Sequence, residues 1–555
     1  MSILEKAEDS QQSILNDEHP SIEVHNDSTT DKILNLEKEY NFNFESEFEE
    51  LEIAAANLKQ NRNFFQRLLN LEYELNFQNK KYMAYLVGFI ASIAGLLSGV
   101  DQSIISGAQI TMRETLQLSD DQMSLVISLM PLGAVLGSIL MTPMNEYVGR
   151  RATIIISCIW YTVGAGLAAG ARSHHMMYAA RFLIGVGVGL EGASVGVYIS
   201  ECSPPHLRGN LVSLYQFNIA LGEVLGYAIA AIFYDVHGGW RFMVGSSLVF
   251  STLLLVGLFF VPESPRFLVH KGNNAAAYLV WKRLRDMNEK ESQLEFLEMK
   301  QAATEERERS ANESTLKSFT ELFRYARNRR ALVYSVVMIS LGQLTGVNAV
   351  MSNLSTLISK VGFSTKNAVF MSLVGGGSLL VGTIPAILWM DKYGRRTWGM
   401  NIVGFFIGLV LVGAAYALDL DTHLKTVEGL YFTGLVLYMG FFGSYACLTW
   451  VVPAESFDLK TRSIGMTIAS AFLYLWNFTV TYCFTKMKNA FTLTGLTLGF
   501  YGGIAFLGII YQFLFMPETK GKTLEEIDDI FSKSSFIIAK ENIRNFNNWI
   551  TKKRN

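Results

Sequence analysis

The sequence predicts an all-α integral membrane protein in which twelve transmembrane helices form two halves of six, joined by a helical linker. Three observations indicate this fold class: charge is unevenly distributed, twelve apolar stretches could each cross a bilayer, and motifs recur at matching places in the two halves. Of the 96 charged side chains, 64 fall within residues 1–81, 262–330 and 517–555. The other 366 residues carry only 32, about 9%, whereas a soluble domain carries about a quarter. Those 366 residues therefore belong in lipid.

Twelve stretches have the length and composition of membrane spans, because about 20 apolar helical residues cross a bilayer core about 30 Å thick. We predict spans 1 to 12 at 82–108, 122–142, 150–171, 175–199, 211–234, 240–261, 331–357, 368–390, 396–418, 428–452, 463–488 and 492–516. This pattern divides the chain into five parts. They are an N-terminal tail (1–81), a first half (82–261), a linker (262–330), a second half (331–516) and a C-terminal tail (517–555).

The positions of Lys and Arg indicate the orientation, because short cytosolic loops of membrane proteins are enriched in these residues. Arginines follow spans 2, 4, 8 and 10, and residues 262–330 contain 14 basic residues, whereas the loops on the other side contain few. We therefore expect both termini and the linker to lie in the cytosol. The linker has the alternating charges of a solvated helix, and the acidic N-terminal tail has apolar repeats near 51–78 that suit an amphipathic helix.

Charged motifs recur after equivalent spans of the two halves, at offsets of 245, 254 and 255 residues. The pairs are Glu146-Tyr-Val-Gly-Arg-Arg151 with Asp391-Lys-Tyr-Gly-Arg-Arg396, Glu201 and Arg208 with Glu455 and Arg462, and Pro262-Glu263-Ser with Pro517-Glu518-Thr. Three matches in register predict a duplicated six-helix unit, the plan that supports alternating access in transporters.

The acidic and basic residues of these motifs suit a gate network at the cytosolic helix ends. Arginine can bond the last carbonyls of a helix and can bridge to the neighbouring half while that face is closed. A signal for membrane topology alone would need only the positive charge. The predicted gate residues are Glu146, Arg150, Arg151, Glu201, Arg208, Asp391, Arg395, Arg396, Glu455 and Arg462.

Several other classes of protein are disfavoured. The four cysteines lie in or next to apolar stretches without metal-ligand spacing, so we expect no disulfide framework, metal site or cofactor. A net charge of −2 and the lack of a basic patch argue against nucleic-acid binding. Gly187-Val-Gly-Leu-Glu-Gly192 fits a dinucleotide fingerprint, but it lies within an apolar helix. We therefore interpret these glycines as sites of close helix packing. The same interpretation applies to Gly133 with Gly137 and to the three glycines at 375–377.

Four charged residues lie inside the apolar spans, away from their ends: Asp101, Arg181, Glu191 and Glu223. Because such residues are costly in a bilayer unless they are paired or hydrated, each is a candidate functional residue. At 1.5 Å per residue, Asp101 lies about 14 Å from the outer end of span 1 and Arg181 about 9 Å from that of span 4. The two side chains can therefore meet. A permanent structural ion pair is the alternative to a functional role.

Six motifs, in this order and spacing, resemble the sugar porter branch of the major facilitator superfamily over about residues 82–530. They are Gly99-Val-Asp101-Gln-Ser-Ile-Ile-Ser-Gly107, Arg181-Phe-Leu-Ile-Gly-Val-Gly-Val-Gly189, Tyr198-Ile-Ser-Glu201-Cys-Ser-Pro204 with Arg208-Gly209, Pro262-Glu-Ser-Pro-Arg266, Gln343-Leu-Thr-Gly-Val-Asn348 and Pro517-Glu-Thr-Lys-Gly521. The resemblance implies the major facilitator fold, a multi-pass protein of the plasma membrane, and alternating-access transport of a sugar or polyol. No set of nucleophile, base and orienting residue shares an apolar pocket, so we do not expect an enzyme.

The resemblance also implies roles for individual residues. Asp101 is expected to accept a coupling proton, with Arg181 favouring its ionised form, although facilitative relatives also carry this Asp and a uniporter is the alternative. Glu223 follows Gln216 by seven residues, about 20° away on the helix face, so both should face one cavity. The residues expected to bind the substrate are Gln216, Glu223, Gln343, Asn348, Trp450, Trp476 and Asn477.

Departures from the family pattern bear on the substrate. Gly342 replaces the first Gln of the span 7 pair, Ser352 and Asn353 replace an aromatic pair, and Leu379 replaces the usual Asn of span 8. Partners of a bound hexose are therefore missing, whereas Glu223 can accept from two hydroxyl groups. This favours a cyclitol or polyol such as myo-inositol, with hexose as the alternative. A sensor that binds the solute without moving it is the alternative from another functional class.

Overall fold

The structure, a computed structural model, describes residues 44–60, 80–312, 315–457, 461–520, 522 and 524–554. Within these ranges the chain is helical and contains no strand. The described residues form two compact units. The smaller unit contains 44–60, 80–81 and 265–308, and the larger unit contains 82–264 and the described residues from 309 onward.

The first half of the larger unit has five uninterrupted spans and one broken span. Spans 1 to 5 are Lys81–Leu116, Asp120–Tyr147, Arg150–Ala169, His174–Cys202 and Pro205–Phe233, and span 6 consists of Gly239–Gly245 and Ser247–Leu258. Span 2 shows how local sequence fixes a helix start. Ser119 Oγ accepts from the backbone N–H of Gln122, whose side chain accepts from the N–H of Ser119. This capping box satisfies two backbone donors at the first turn of the helix.

The second half contains more broken helices. Span 7 consists of Ala326–Leu344 and Val347–Ser352 and is followed by Leu354–Ser359. Span 8 is Thr365–Tyr393, span 9 is Arg395–Gly399 with Ile402–Ala417, and span 10 is Leu420–Ala446 with Leu448–Ser456. Span 11 is Arg462–Thr494, and span 12 is a π-helix, Gly495–Tyr501, continued by Gly502–Phe515. The shorter helices Thr315–Arg324, Leu524–Ser532 and Ser535–Arg554 complete this unit.

The described chain has eleven continuous stretches that are long and apolar enough to cross a membrane. The last of them, Arg462–Phe515, is 54 residues long and contains the non-helical residue Thr492, with φ 60° and ψ 168°. Since one crossing takes about 20 residues, this stretch accounts for both span 11 and span 12. The predicted all-α class with twelve spans is confirmed.

Glycines bring spans 2 and 4 into backbone contact. A Cβ atom on Gly133 or Gly137 would lie 2.2 Å from Phe182 O or 2.3 Å from Val186 O. A Cβ on Gly189 would lie 2.2 Å from Ala134 O. The packing interpretation is therefore confirmed for these glycines, as it is for Gly375 and Gly376 against Leu354 and Tyr227 side chains. It is wrong for Gly377, because no neighbouring atom lies within 4 Å of the Cβ position there.

The smaller unit packs an N-terminal helix, Phe44–Gln60, with the helices Pro265–His270, Asn274–Leu284 and Lys290–Asn312. Leu51 and Ala55 are buried with Trp281. Lys282 Nζ forms a 2.5 Å ion pair with Glu52 Oε1. An amphipathic helix was predicted near 51–78; the observed helix ends at Gln60, and 61–79 lie outside the described residues.

Candidate functional site

The first half contains a compact charge network where spans 2, 4 and 6 end and span 3 begins, which we term the basic end of the bundle. Arg150 Nε forms a 3.0 Å ion pair with Glu201 Oε2 between spans 3 and 4. Ser264 Oγ donates to the same carboxylate. Arg151 Nε donates to the carbonyl of Leu258 at 2.8 Å, which ties span 3 to the last turn of span 6. The network therefore joins three spans of one half.

The second half repeats this arrangement. Arg395 NH2 forms a 2.9 Å ion pair with Glu455 Oε1, and Thr519 Oγ1 donates to Glu455 Oε2 at 2.7 Å. Arg396 NH2 donates to the carbonyl of Phe513 at 3.0 Å. Because carboxylate, arginine, hydroxyl and carbonyl recur in the same roles, the sequence duplication corresponds to a duplicated structure.

Two carboxylates of this network were not predicted as site residues. Glu263 accepts backbone N–H groups of Arg151, Ala152 and Ser264 at 3.0, 3.3 and 2.9 Å. Glu518 accepts those of Arg395 and Arg396 at 2.9 and 3.1 Å. Each carboxylate therefore caps the first turn of an earlier helix in its own half: Glu263 caps span 3 and Glu518 caps span 9. The recurrence of Pro-Glu-Ser and Pro-Glu-Thr was the available signal.

Burial raises the pKa of the Glu263 carboxyl, although its backbone donors and the charge of Arg151 oppose that shift. Desolvation disfavours the charged form of a carboxyl group, whereas N–H donors favour it. The backbone N–H donors at Glu263 therefore offset part of the cost of burying its carboxyl group.

The remaining predicted gate residues are less fully defined. Both ion pairs above lie within one half, so the predicted bridge between halves stays a prediction. Arg462 NH2 donates to the carbonyl of Phe457 at 3.4 Å, and Glu146 is exposed on the last turn of span 2 and has an interaction partner. The side chains of Arg208 and Asp391 lie outside the described part of the chain.

Asp101 and Arg181 are both buried in the first half, at 1% and 2% exposure. Asp101 Oδ1 accepts from Ser247 Oγ at 2.7 Å, and Arg181 Nε donates to the carbonyl of Val126 at 3.2 Å. Arg181 is close enough to act electrostatically on Asp101, but among the described residues no ion pair within 4.0 Å joins them. Asp101 Oδ2 has no hydrogen-bond partner in the described chain. The two predicted residues therefore make hydrogen bonds to other partners, and their joint role in proton coupling stays a prediction.

Polar contacts between the halves gather several predicted substrate-binding residues. Trp450 Nε1 donates to Gln216 Oε1 at 3.2 Å, which joins span 10 to span 5. Tyr215 packs edge-on against Trp450, with ring centroids 6.2 Å apart. The two predicted residues are thus brought together at the boundary between the halves.

A second group joins span 1 to span 7. Gln102 Nε2 donates to Asn348 Oδ1, and Asn348 Nδ2 donates to Gln343 Oε1. Gln109 Nε2 donates to the carbonyl of Ser352 at 3.1 Å. Gln102 was not predicted, although it follows Asp101 directly in a motif that was singled out. These amides can exchange their mutual hydrogen bonds for bonds to hydroxyl groups of a ligand.

The other predicted binding residues are not linked to either group by a hydrogen bond between described residues. Glu223 is 3% exposed and its Oε2 has no partner in the described chain. Asn477 Oδ1 accepts from Thr481 Oγ1 at 3.2 Å within span 11, and Trp476 Nε1 is buried without a partner among described residues. The described residues contain no group of three or more His, Cys, Asp or Glu that could hold a metal ion.

The halves touch near both ends of span 2. Ser124 Oγ donates to Thr485 Oγ1 at 3.1 Å at one end, and Thr142 Oγ1 lies 2.5 Å from Thr467 Oγ1 at the basic end. Spans 2 and 11 are therefore in contact near both of their ends in this conformation.

Comparisons with known proteins identify the family. Residues 82–531 match the family model described as "Sugar (and other) transporter". The myo-inositol transporter FST1 of Gibberella moniliformis is 54% identical over 473 residues, which cover 85% of this chain and 82% of the relative. The galactose-proton symporter of Escherichia coli (strain K12) is 28% identical over 455 residues, covering 81% of this chain and 95% of the relative.

The fold is also that of a solved transporter. The proton:xylose symporter XylE from E. coli, bound to 6-bromo-6-deoxy-D-glucose, superposes with a TM-score of 0.69 at 24% identity. The alignment covers 82% of this chain and 100% of XylE, and it supports the fold alone. The predictions of a sugar-porter fold and of a protein that is not an enzyme are confirmed. The chain is a multi-pass integral membrane protein with the major facilitator fold, and it belongs to the sugar transporter family.

Proposed function

We propose that the chain moves a polyol of the myo-inositol class across the plasma membrane by alternating access, together with protons. Both termini and the linker lie in the cytosol in this proposal. The observation that carries it is the 54% identity to a myo-inositol transporter over 85% of this chain. The duplicated halves and the polar contacts between them support the same conclusion, because alternating access takes place around a site between such halves.

The amide groups between the halves would bind the solute. Gln216 bonds Trp450, and Gln343 bonds Asn348, so each pair can open to accept and donate hydrogen bonds to ring hydroxyls. Trp450 would stack on the C–H face of the ring while its indole N–H stays polar. Of the five predicted parts of the chain, the first half (82–261) and the second half (331–516) would each form one wall of this site.

Glu223 would favour a ligand with hydroxyl groups on every edge. Its Oε2 is buried without a hydrogen-bond donor in the described chain, so a solute hydroxyl can satisfy it. Satisfying such a buried acceptor is worth about 1–3 kcal/mol. Gly342, where the family has Gln, lies against the Tyr445 ring, and Leu379 is a buried core residue. These positions cannot supply the polar contacts that a hexose would use.

Asp101 would bind the coupling proton. It is buried, its Oδ2 has no partner in the described part of the chain, and Arg181 is close without touching it. A carboxylate with this incomplete environment can gain or lose a proton when the halves move. The carboxylate and arginine residues at the basic end would close the cytosolic face, and their ion pairs would reorganise when that face opens.

Transport is tested with the full chain reconstituted in proteoliposomes and labelled myo-inositol. Saturable uptake that accumulates myo-inositol against its gradient when a pH gradient is imposed supports the proposal. Saturable binding without uptake would indicate a sensor, and saturable uptake that only equilibrates would indicate a uniporter. Either result contradicts proton-coupled transport.

The substrate is tested by competition from glucose, galactose, xylose, sorbitol, glycerol and unlabelled myo-inositol. We expect myo-inositol to compete most strongly, and Glu223→Gln to raise its KM about tenfold, which equals about 1.4 kcal/mol. Strong competition by glucose with none by polyols would contradict the cyclitol assignment.

A further inference from the structure

Glu191 is a buried carboxyl group that the proposed transport mechanism does not use. It lies in span 4 and is 0% exposed. Tyr161 OH of span 3 donates to its Oε1 at 3.3 Å, and its Oε2 has no hydrogen-bond partner in the described chain. A fully buried acidic residue with one unsatisfied oxygen requires an explanation, because burying such a group is costly.

Among the residues that the structure describes, the groups around Glu191 include no cation that could neutralise it. Asp101 of span 1 acts on it electrostatically, and so do Tyr161 and Cys158 of span 3, Tyr215 of span 5 and Tyr474 of span 11. The part of span 2 packed on span 4 here contributes neutral groups such as Ala134 and Ser138.

Arg181 is the buried arginine of the described membrane spans, and it is committed elsewhere. It lies ten residues before Glu191 on the same helix, about 15 Å away along the axis. Its Nε donates to the Val126 carbonyl, and its carboxylate neighbour is Asp101. A carboxyl group enclosed without a cation is far more stable with its proton bound than ionised. The surroundings of Glu191 therefore favour its protonated form in this conformation.

The surroundings of Glu191 change when the halves separate. Gly192, the next residue, faces the other half: a Cβ there would lie 2.8 Å from Tyr474 OH and 3.6 Å from Trp450. Both aromatic side chains belong to spans 10 and 11, which move relative to span 4 in alternating access. Glu191 also lies eleven residues, about 16 Å, from Cys202 at the basic end of span 4. Opening that end would bring water close to the carboxyl group.

We propose that Glu191 is a second proton-binding site of the transport cycle, in addition to Asp101. The proposal rests on proton-coupled transport as proposed above. Glu191 carries its proton while the halves are closed around the solute and releases it to water when they part at the basic end, and the carboxylate takes up its next proton after the halves part at the opposite end. Since ionised Asp101 disfavours a second negative charge nearby, the two groups titrate as a coupled pair.

The test uses the full chain in proteoliposomes, with labelled myo-inositol and a pH-sensitive dye inside the vesicles. Glu191→Gln, which mimics the protonated group, is expected to lower pH-driven accumulation about tenfold, the effect of one pH unit of driving force, while solute exchange at equal pH is retained. Thr162→Val is the control on span 3, because it removes the hydroxyl of the residue next to Tyr161 and its part-buried contact with Ser251 at 3.0 Å. It is expected to behave like the unaltered chain.

Tyr161→Phe provides a second variant if Glu191→Gln does not fold. It removes one hydrogen bond that favours the ionised form, so the pH dependence of exchange should move upward by about half to one pH unit. Accumulation and proton influx that are unchanged in both variants would overturn the proposal, because the proton on Glu191 would then be static.

Infrared spectroscopy of the purified chain tests proton occupancy without transport. The C=O band of protonated carboxyl groups at neutral pH should lose one component in Glu191→Gln. A spectrum without that loss shows that Glu191 is ionised and overturns the proposal. If the unaltered chain moves myo-inositol without protons, proton coupling itself fails, and the infrared result still decides whether Glu191 binds a proton.

Discussion

Gly189→Ala is a sharp test of the backbone contact between spans 2 and 4. The added methyl group would lie 2.2 Å from Ala134 O and 2.6 Å from Ser138 N. Both are backbone atoms of span 2, so no side chain can rotate away to make room. The two helices must separate by about 1 Å to restore a normal contact, since carbon atoms pack about 3.5–4.0 Å apart and oxygen slightly closer.

The cost of this separation can be estimated from overpacking. Forcing one extra methyl group into a close-packed contact typically costs about 1–3 kcal/mol. Gly196→Ala is the matched control, because Gly196 lies on the same helix and has no atom within 4 Å of its Cβ position. Replacing that glycine should stabilise the helix by up to about 1 kcal/mol. The two variants should therefore differ by about 1–4 kcal/mol.

The assay is the apparent Tm of the purified protein in detergent, followed by light scattering and tryptophan fluorescence. Gly189→Ala should unfold about 2–6 °C below the unaltered chain, and Gly196→Ala at or above it. Equal Tm values for both variants would refute the close contact, because only that contact distinguishes the two positions.

Three further predictions concern charge. Asp101→Asn should abolish accumulation driven by a pH gradient but leave solute exchange measurable, and retained accumulation would show that Asp101 is structural. Glu201→Gln removes one charge of a largely buried pair with Arg150, 3.0 Å away, and should lower the maximal uptake rate about tenfold with a smaller change in KM; an unaltered rate would contradict the network. In the smaller unit, the side-chain hydrogen bond from Lys282 lowers the pKa of Glu52. A lowered folded-state pKa stabilises the unit above the unfolded pKa of Glu52, and this contribution is lost as pH falls through the folded value. Because the pair is about half exposed, the effect should stay below about 1 kcal/mol, and limited proteolysis of Phe44–Gln60 across acidic pH would detect it.

The sequence predicted that charged motifs recurring in both halves act together, although it did not specify which residues pair. The pairing of Arg150 with Glu201 follows motifs that recur in both halves, and the observed pairs repeat accordingly. The roles of Glu263 and Glu518 as helix caps were missed, although their motif was noticed. Each of these carboxylates caps backbone N–H groups that lie more than 110 residues away in sequence. The periodicity of apolar residues along the chain does not reveal such distant partners.

The sequence by itself determined the class of protein, the number of spans and the duplication. This was possible because the bilayer requires about 20 consecutive apolar residues for every crossing, so each span can be recognised in one continuous stretch of the sequence. Only the tertiary structure decided which polar groups meet. Gln102 bonds Asn348 across 246 residues, and Asp101 bonds Ser247 while Arg181 bonds a backbone carbonyl. Such contacts depend on how whole helices are rotated and spaced relative to one another. Close packing of the helices sets these positions to within about an ångström, whereas the amino-acid composition of a helix does not specify them.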